Sequence, residues 1–185
     1  MILREGIRLY HGSYCIVEKP DLSKCRTGKD FGRGFYLTTS RQQAVKFTKT
    51  AIRKALREGS LPEMQVQGYV SEYEYRSVKD VLPFEFDEPD SEWLHCVVGY
   101  RKGSHSLRTE KWDPFDIVAG KIANDNTNLV ITTYMDGLYG EVGSTRADQI
   151  AIGFLEPQNL KDQVCFRTVK ALECLKYIGN KSVRL

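Results

Sequence analysis

The sequence predicts an α+β fold, because strand patterns and helix patterns both occur along one chain of 185 residues. The segments Arg8–Ser13 and Phe35–Thr38 carry the aromatic and aliphatic residues that favour strands. The segment Arg41–Glu58 instead repeats apolar residues at spacings of three and four, as an amphipathic helix does. A chain of this length predicts one domain, residues 1–185, with a substantial core.

The composition is that of an ordinary globular protein. Hydrophobic residues make up 41% of the chain and charged residues 28%, and the net charge of +3 is too small to indicate nucleic-acid binding. No apolar run reaches membrane-spanning length. Five cysteines without a Cys-x-x-Cys pair argue against a zinc site or a disulfide framework. We therefore expect a cytoplasmic protein with reduced thiols, no metal and no membrane contact.

In the first half of the chain, punctuating residues set the element boundaries. Ser40, with Gln43 three positions later, forms a capping box, and Gly59 is a natural helix end. The expected order is a strand at Arg8–Ser13, a loop at Tyr14–Lys29, a strand at Phe35–Thr38, a helix at Arg41–Glu58 and a long strand at Gln65–Arg76.

Similar signals set the element boundaries in the second half of the chain. Two prolines and a run of acids predict a loop at Asp80–Pro89, the best candidate for an internal boundary. Thr127–Met135 fits either a strand or a helix. The other expected elements are a helix at Ser91–Arg101, a loop at Gly103–Pro114, a strand at Phe115–Asp125 that ends in an Asn-Asp turn, a helix at Arg146–Leu155, a strand at Gln163–Phe166 and a C-terminal helix at Thr168–Ile178.

The stretch Asp30–Ala44 joins a Gly-Arg-Gly turn, a strand and a helix start. Gly32 and Gly34 can adopt backbone angles closed to other residues and let a ligand approach the main chain. A tight turn before a strand that presents Tyr36 suits a small-molecule pocket, although a surface turn before a core strand would look the same. A Rossmann dinucleotide site is rejected, because Leu37 holds the third glycine position and the turn precedes a strand.

Four motifs in order resemble one known family. They are Leu9–Ser13, Asp30–Thr39, Asp116–Asp125 and the pair Asp162-Gln163. Together they resemble a bacterial family of uncharacterised domains assigned to the ADP-ribosyltransferase superfamily, in the diphtheria-toxin and poly-ADP-ribose-polymerase branch that has a His-Tyr-Glu triad. The resemblance implies a split β-sandwich of two small, mostly antiparallel sheets with peripheral helices.

The resemblance also implies NAD as co-substrate and assigns roles to single residues. The catalytic set it implies is His11, Tyr36 and Gln163, and the NAD-binding set is His11, Gly12, Ser13, Arg33, Gly34, Tyr36 and Phe47. In these roles His11 binds the adenine-side ribose, the backbone of Gly12 binds the nicotinamide carboxamide, Tyr36 and Phe47 stack on the nicotinamide, and Arg33 binds the pyrophosphate.

Each of these residues also has a purely structural interpretation. His11 could be a core histidine, Tyr36 and Phe47 could be core packing, and Gln163 could be a strand-end side chain that faces solvent. Asp116, Asn124 and Asp125 fit turn formation better than catalysis.

Gln163 departs from the triad, because glutamine brings no charge to an oxocarbenium-like ribose and cannot act as a general base. Three outcomes stay open: substrate-assisted transfer, a carboxylate supplied by Asp162, Asp125 or Glu141, or NAD binding without turnover. If Gln163 simply lacks the charge, Gln163→Glu is expected to raise activity.

The function that the resemblance implies is a mono-ADP-ribosyltransferase, a toxin or a regulatory modifier, that releases nicotinamide from NAD. Its target is an unidentified protein, nucleic acid or small molecule. The alternatives are an NAD- or ADP-ribose-binding module that has lost turnover and a protein-interaction domain that keeps only the fold. Serine and papain-like cysteine catalysis are rejected, because the sequence has neither signature.

Overall fold

A computed structural model describes residues 2–62, 67–102, 107, 110–122, 125–155 and 161–184, and it shows a mixed α+β fold with two sheets. The strands are β1 (Arg8–Ser13), β2 (Phe35–Leu37), β3 (Gln67–Tyr75), β4 (Pro83–Glu85), β5 (Ile117–Lys121), β6 (Asp162–Phe166) and β7 (Leu175–Arg184). The α-helices are α1 (Arg41–Arg57), α2 (Ser91–Lys102), α3 (Asp125–Met135), α4 (Thr145–Phe154) and α5 (Val169–Leu172). Within the described ranges, no helix has both the length and the apolar character needed to cross a membrane.

A short β-bridge joins the two sheets. The three-stranded sheet has the order β1-β3-β7 and is antiparallel. The four-stranded sheet has the order β2-β6-β5-β4, and β4 with β5 is its parallel pair. Tyr10 of β1 forms an antiparallel bridge with Thr38, the residue after β2. This bridge places the end of β1 beside the Gly-Arg-Gly turn.

Two apolar cores hold these layers together. The first lies between the sheets and includes Leu9, Phe35, Tyr73, Val164 and Phe166. The second lies on the other face of the four-stranded sheet, where α2, α3 and α4 pack, and includes Trp93, Val97, Trp112, Val118 and Ile131. Residues that alternate along β6 contribute to different cores, as the two-residue period of a strand requires.

The predicted boundaries of α1 are confirmed by its caps. The Ser40 hydroxyl accepts a hydrogen bond from the Gln43 N–H at 3.3 Å, which satisfies an otherwise unpaired donor of the first turn. Gly59 follows the helix with φ of 69°, a left-handed conformation that glycine adopts without strain. The buried side of α1 holds Ala44, Thr48, Ile52 and Ala55.

The helix that the sequence predicts at Thr168–Ile178 is wrong. Only α5 forms there, and the chain then continues as the ten-residue strand β7. Leu175 and Tyr177 lie two positions apart, which is strand spacing, and the Tyr177 ring packs edge-on against Tyr73 of β3 at 5.7 Å. An available sheet edge therefore outweighs the local helical pattern.

Two further segments differ from expectation. The loop predicted at Asp80–Pro89 contains β4, a short edge strand that begins with proline, a position where a missing N–H is tolerated. The ambiguous stretch Thr127–Met135 is helical, as part of α3. That helix starts at Asp125, where the sequence predicts a turn, and Asn124 lies outside the described residues.

Candidate functional site

The strands β1 and β2 separate just after their bridge. Tyr10 and Thr38 exchange two backbone hydrogen bonds of 2.9 and 3.0 Å, and β1 then pairs only with β3. Backbone groups two residues apart in a strand point to the same edge, so the N–H and C=O of Gly12 face away from β3, as those of Tyr10 do. Neither group has a partner among the described residues. A free main-chain donor and acceptor therefore lie at the predicted carboxamide position.

Gly12 also permits α1 to pack closely against β1. A β-carbon at this position would lie 1.9 Å from the Ala44 carbonyl oxygen and 2.7 Å from the Thr48 hydroxyl oxygen. Those distances are far below any real contact, so a side chain would displace the helix. Glycine is required here by packing alone, whatever it binds.

His11 uses one ring nitrogen and leaves the other open. Its Nδ1 donates to the Tyr36 carbonyl oxygen at 2.8 Å, and because a carbonyl can only accept, Nδ1 carries the proton. In the part of the chain that the structure describes, Nε2 has no hydrogen-bond partner. Burial lowers the pKa of His11 below its usual 6.5, which favours the neutral ring. Nε2 of the neutral ring is thus an available acceptor.

Tyr36 anchors the turn that precedes it. Its hydroxyl accepts from the Phe31 N–H at 2.9 Å and donates to the Gly32 carbonyl oxygen at 2.8 Å. The ring is half-buried against the core beneath the helices. Burial raises the pKa of Tyr36 well above its ordinary value, so the hydroxyl keeps its proton. One part of the Tyr36 ring therefore packs against the core, as its structural interpretation predicts, and the other part is exposed.

Gln163 is buried, so its interpretation as a solvent-facing side chain is wrong. It is 5% exposed and lies opposite Gly120 in the β5–β6 pair. Its Nε2 donates to Oδ2 of Asp30 at 2.5 Å and to the Lys121 carbonyl oxygen at 3.2 Å. The third predicted catalytic residue is thus held by a carboxylate.

Sequence reasoning missed Asp30 as a site residue. It is 5% exposed, and its other carboxylate oxygen accepts from Nε of Arg101 on α2. Its partner Gln163 lies 133 positions away along the chain, so no local pattern reveals the contact. The available signal was its place as the first residue of the Asp30–Thr39 motif.

The structure connects the three predicted catalytic residues. Tyr36 pairs with Cys165, and Gln163 is two positions before Cys165, so Tyr36 and Gln163 share the helix-covered face of the sheet. Both side chains hold the segment Asp30–Gly32. His11 joins them through the Tyr36 backbone, with its own ring beside Phe35 on the inter-sheet side at 4.5 Å.

The Gly-Arg-Gly turn has a structural role of its own. Arg33 is exposed, and its guanidinium donates to the backbone carbonyls of Leu22, Ser23 and Cys25, which fixes the preceding loop. A β-carbon at Gly34 would lie 2.4 Å from the Cys165 sulfur. Close packing against β6 therefore explains Gly34, and the expected approach of a ligand to this main chain stays a prediction.

Phe47 and Ser13 complete the predicted binding set. Phe47 is 39% exposed on α1, so its interpretation as core packing is wrong. It directly precedes Thr48, the residue that packs against Gly12. The Ser13 hydroxyl lies 3.8 Å from the Cys15 sulfur, near the exposed end of β1. Both side chains are accessible to a ligand.

The family model for a protein family of unknown function, DUF3990, matches residues 7–177. The chain belongs to this family. No curated protein matches the chain, and no solved structure matches it.

Among the described residues of this DUF3990 chain, the alternative carboxylates Asp162, Glu141 and Asp116 are engaged elsewhere or lie on an exposed loop. Asp162 pairs with Lys121 at 2.9 Å, and Glu141 is exposed on the loop after α3. Asp116 accepts from the Leu82 N–H at 2.9 Å and the Thr168 hydroxyl at 2.8 Å, and its Oδ2 lies 2.8 Å from Nζ of Lys170. Asp116 is therefore structural, as its sequence context favours. The side chain of Asp125 lies outside the described residues.

A cleft of about 410 Å³ opens at the end of the four-stranded sheet where β5 begins and β6 ends. Its wall includes Gly32, Arg33, Tyr100, Phe115 and Arg167. Arg33 therefore connects the predicted site to a cavity that the remaining predicted residues do not line.

Proposed function

We propose that this DUF3990 protein is an NAD-dependent mono-ADP-ribosyltransferase with the split β-sandwich of that superfamily. The observation that carries the proposal is the convergence of three features where β1 and β2 separate. They are the open Nε2 of His11, the unpaired backbone groups of Gly12 and the anchored ring of Tyr36. The order and spacing of the four sequence motifs add independent support.

In this proposal the nicotinamide end of NAD enters the opening beside β1. Its carboxamide exchanges hydrogen bonds with the N–H and C=O of Gly12, as a neighbouring strand would. The exposed part of the Tyr36 ring and the exposed Phe47 supply aromatic faces, which attract the positively charged pyridinium. The hydrogen bonds of the Tyr36 hydroxyl keep that ring fixed, so little order is lost on binding.

The reaction transfers ADP-ribose from nicotinamide to a nucleophile. The bond between C1′ of the ribose and the pyridinium nitrogen breaks, and its electron pair leaves on neutral nicotinamide. The nucleophile of the target then bonds to C1′ and loses a proton to solvent. Neutral His11 accepts a hydrogen bond at Nε2 from a hydroxyl of the adenine-side ribose and so orients the NAD. Gln163 accepts a hydrogen bond at its amide oxygen from a hydroxyl of the nicotinamide ribose while positive charge develops on that sugar.

An NAD- or ADP-ribose-binding module is the second candidate, because Gln163 itself carries no charge. Such a module would bind NAD without releasing nicotinamide. A protein-interaction domain would bind neither NAD nor ADP-ribose. NAD is expected to raise the thermal midpoint more than NADH does, since only the oxidised ring is charged.

The direct test incubates the purified protein with adenine-labelled NAD and cell lysate, and follows nicotinamide release together with transfer of label. His11→Asn is the informative variant, because asparagine can still donate to the Tyr36 carbonyl but lacks the second nitrogen. We expect transfer by the wild type and a loss of about tenfold or more in His11→Asn. Nicotinamide release at the rate of buffer alone would refute the transferase.

A further inference from the structure

The side chains of Asp30 and Gln163 form a buried carboxylate–amide pair. We infer that Asp30 supplies the negative charge of the proposed transferase site and acts through Gln163 as a positioning residue. The inference rests on the proposed function. It assigns to position 30 the charge that the related triad carries at its third position.

The hydrogen bonds fix which end of the Gln163 amide is free. Both partners of Nε2, the Asp30 carboxylate and the Lys121 carbonyl, accept hydrogen bonds, so the NH₂ end must face them. Oε1 is the end that remains, and no described group donates to it. In the described ranges Nε1 of Trp112 is the side-chain atom that is sealed from solvent without a partner, and Oε1 of Gln163 is not such an atom. Gln163 thus presents only an acceptor, as a glutamate would.

The carboxylate behind the amide makes that acceptor stronger. A hydrogen bond from an amide N–H to an ionised carboxylate polarises the amide and increases the negative charge on its oxygen. Asp30 is held in position for this role, because Arg101 forms an ion pair with Oδ1 while Oδ2 accepts from Gln163. Arg101 in turn donates to Oδ1 of Asn128 on α3 at 2.8 Å. Charge that develops on the ribose is therefore stabilised through one intervening amide.

This arrangement reverses the expected effect of Gln163→Glu. The substitution would place a second carboxylate where Nε2 now lies 2.5 Å from Asp30. Two carboxylates at that distance repel each other or share one proton, so the added charge would not be available. We expect Gln163→Glu alone to lower activity. We expect activity to be retained when the carboxylate and the amide exchange places between positions 30 and 163.

The test is a cycle of Asp30→Asn, Gln163→Glu and the double variant Asp30→Asn/Gln163→Glu. For nicotinamide release, each single variant is expected to lose about tenfold in kcat, with KM for NAD changed less than about threefold. The double variant restores an amide beside a carboxylate and is expected to regain about tenfold over either single variant. If the pair were merely structural, the variants would differ in melting temperature, but kcat would not fall in the single variants and recover in the double variant.

Asp116→Asn is the matched control, because Asp116 is 3% exposed, lies directly before β5 and accepts hydrogen bonds from Leu82 and Thr168 instead of Gln163. It is expected to lower the melting temperature and to leave kcat per folded molecule unchanged.

An active wild type whose kcat is insensitive to Asp30→Asn, or is raised by Gln163→Glu alone, would overturn the role of Asp30 only. A wild type that releases no nicotinamide would overturn both this role and the transferase. If Asp30→Asn does not fold, the folded double variant decides: kcat above that of Gln163→Glu supports the pair, and equal or lower kcat refutes it.

Discussion

Two histidines of this chain, His95 and His11, lie in opposite kinds of polar environment. Nε2 of His95 on α2 lies 2.8 Å from Asp148 of α4, and the Tyr134 hydroxyl of α3 donates to the same carboxylate at 2.5 Å. That hydroxyl also accepts from the Gly143 N–H at 2.8 Å. His11, by contrast, has one nitrogen bonded to a backbone carbonyl and the other without a described partner.

The contrast separates stability from binding. The His95 cluster ties three helices together, and its buried carboxylate has hydrogen-bond partners at both oxygens. A buried network of this kind stabilises one arrangement of the helices. Among the described residues, Nε2 of His11 and Oε1 of Gln163 have no hydrogen-bond partner, and a fold that required only stability would not need these two polar atoms. The open atoms are therefore the ones that we assign to a ligand.

The largest expected effect is the loss of the closed cluster. Asp148→Ala removes the acceptor of the buried Tyr134 hydroxyl and leaves a cavity, so the free energy of unfolding should fall by about 3 kcal/mol. Chemical denaturation measures this change. NAD affinity per folded molecule should not change, because the cluster lies among the helices. A large loss of NAD affinity in a folded Asp148→Ala protein would show that the two regions are coupled.

His11→Ala should give the opposite pattern. Removal of the open acceptor is expected to weaken NAD binding by about 1–3 kcal/mol, which isothermal titration can measure, while the fold survives. His95→Ala is the matched control and should weaken the fold more than the binding. If His11→Ala unfolds the protein with NAD affinity per folded molecule unchanged, His11 is a core histidine.

Local chemistry explains what could be predicted from the sequence. The motif around His11, the strand that carries Tyr36 and the caps of α1 depend on near neighbours, so their places could be predicted. The position of β7 could not, because the apolar residues from Ala171 to Tyr177 fit both periods and the edge of β3 decides between them. The Asp30–Gln163 pair was equally hidden, since it depends on how β6 meets a distant turn.

The smallest expected effect is on the pH dependence of stability. Burial lowers the pKa of His11 below 6.5, the value expected in the unfolded chain, so between the two values the unfolded state binds more protons. The stabilisation from the neutral ring is therefore complete above pH 6.5 and is lost as the pH falls through 6.5 toward the folded value. Denaturation series from pH 7.5 to 5 should show a free energy of unfolding that falls more steeply in the wild type than in His11→Asn. The double variant Asp148→Ala/His95→Ala should keep that steeper component, because it leaves His11 in place. Identical slopes in the wild type and His11→Asn would mean that His11 can accept a proton in the folded protein without penalty, and that Nε2 is not held as a neutral acceptor.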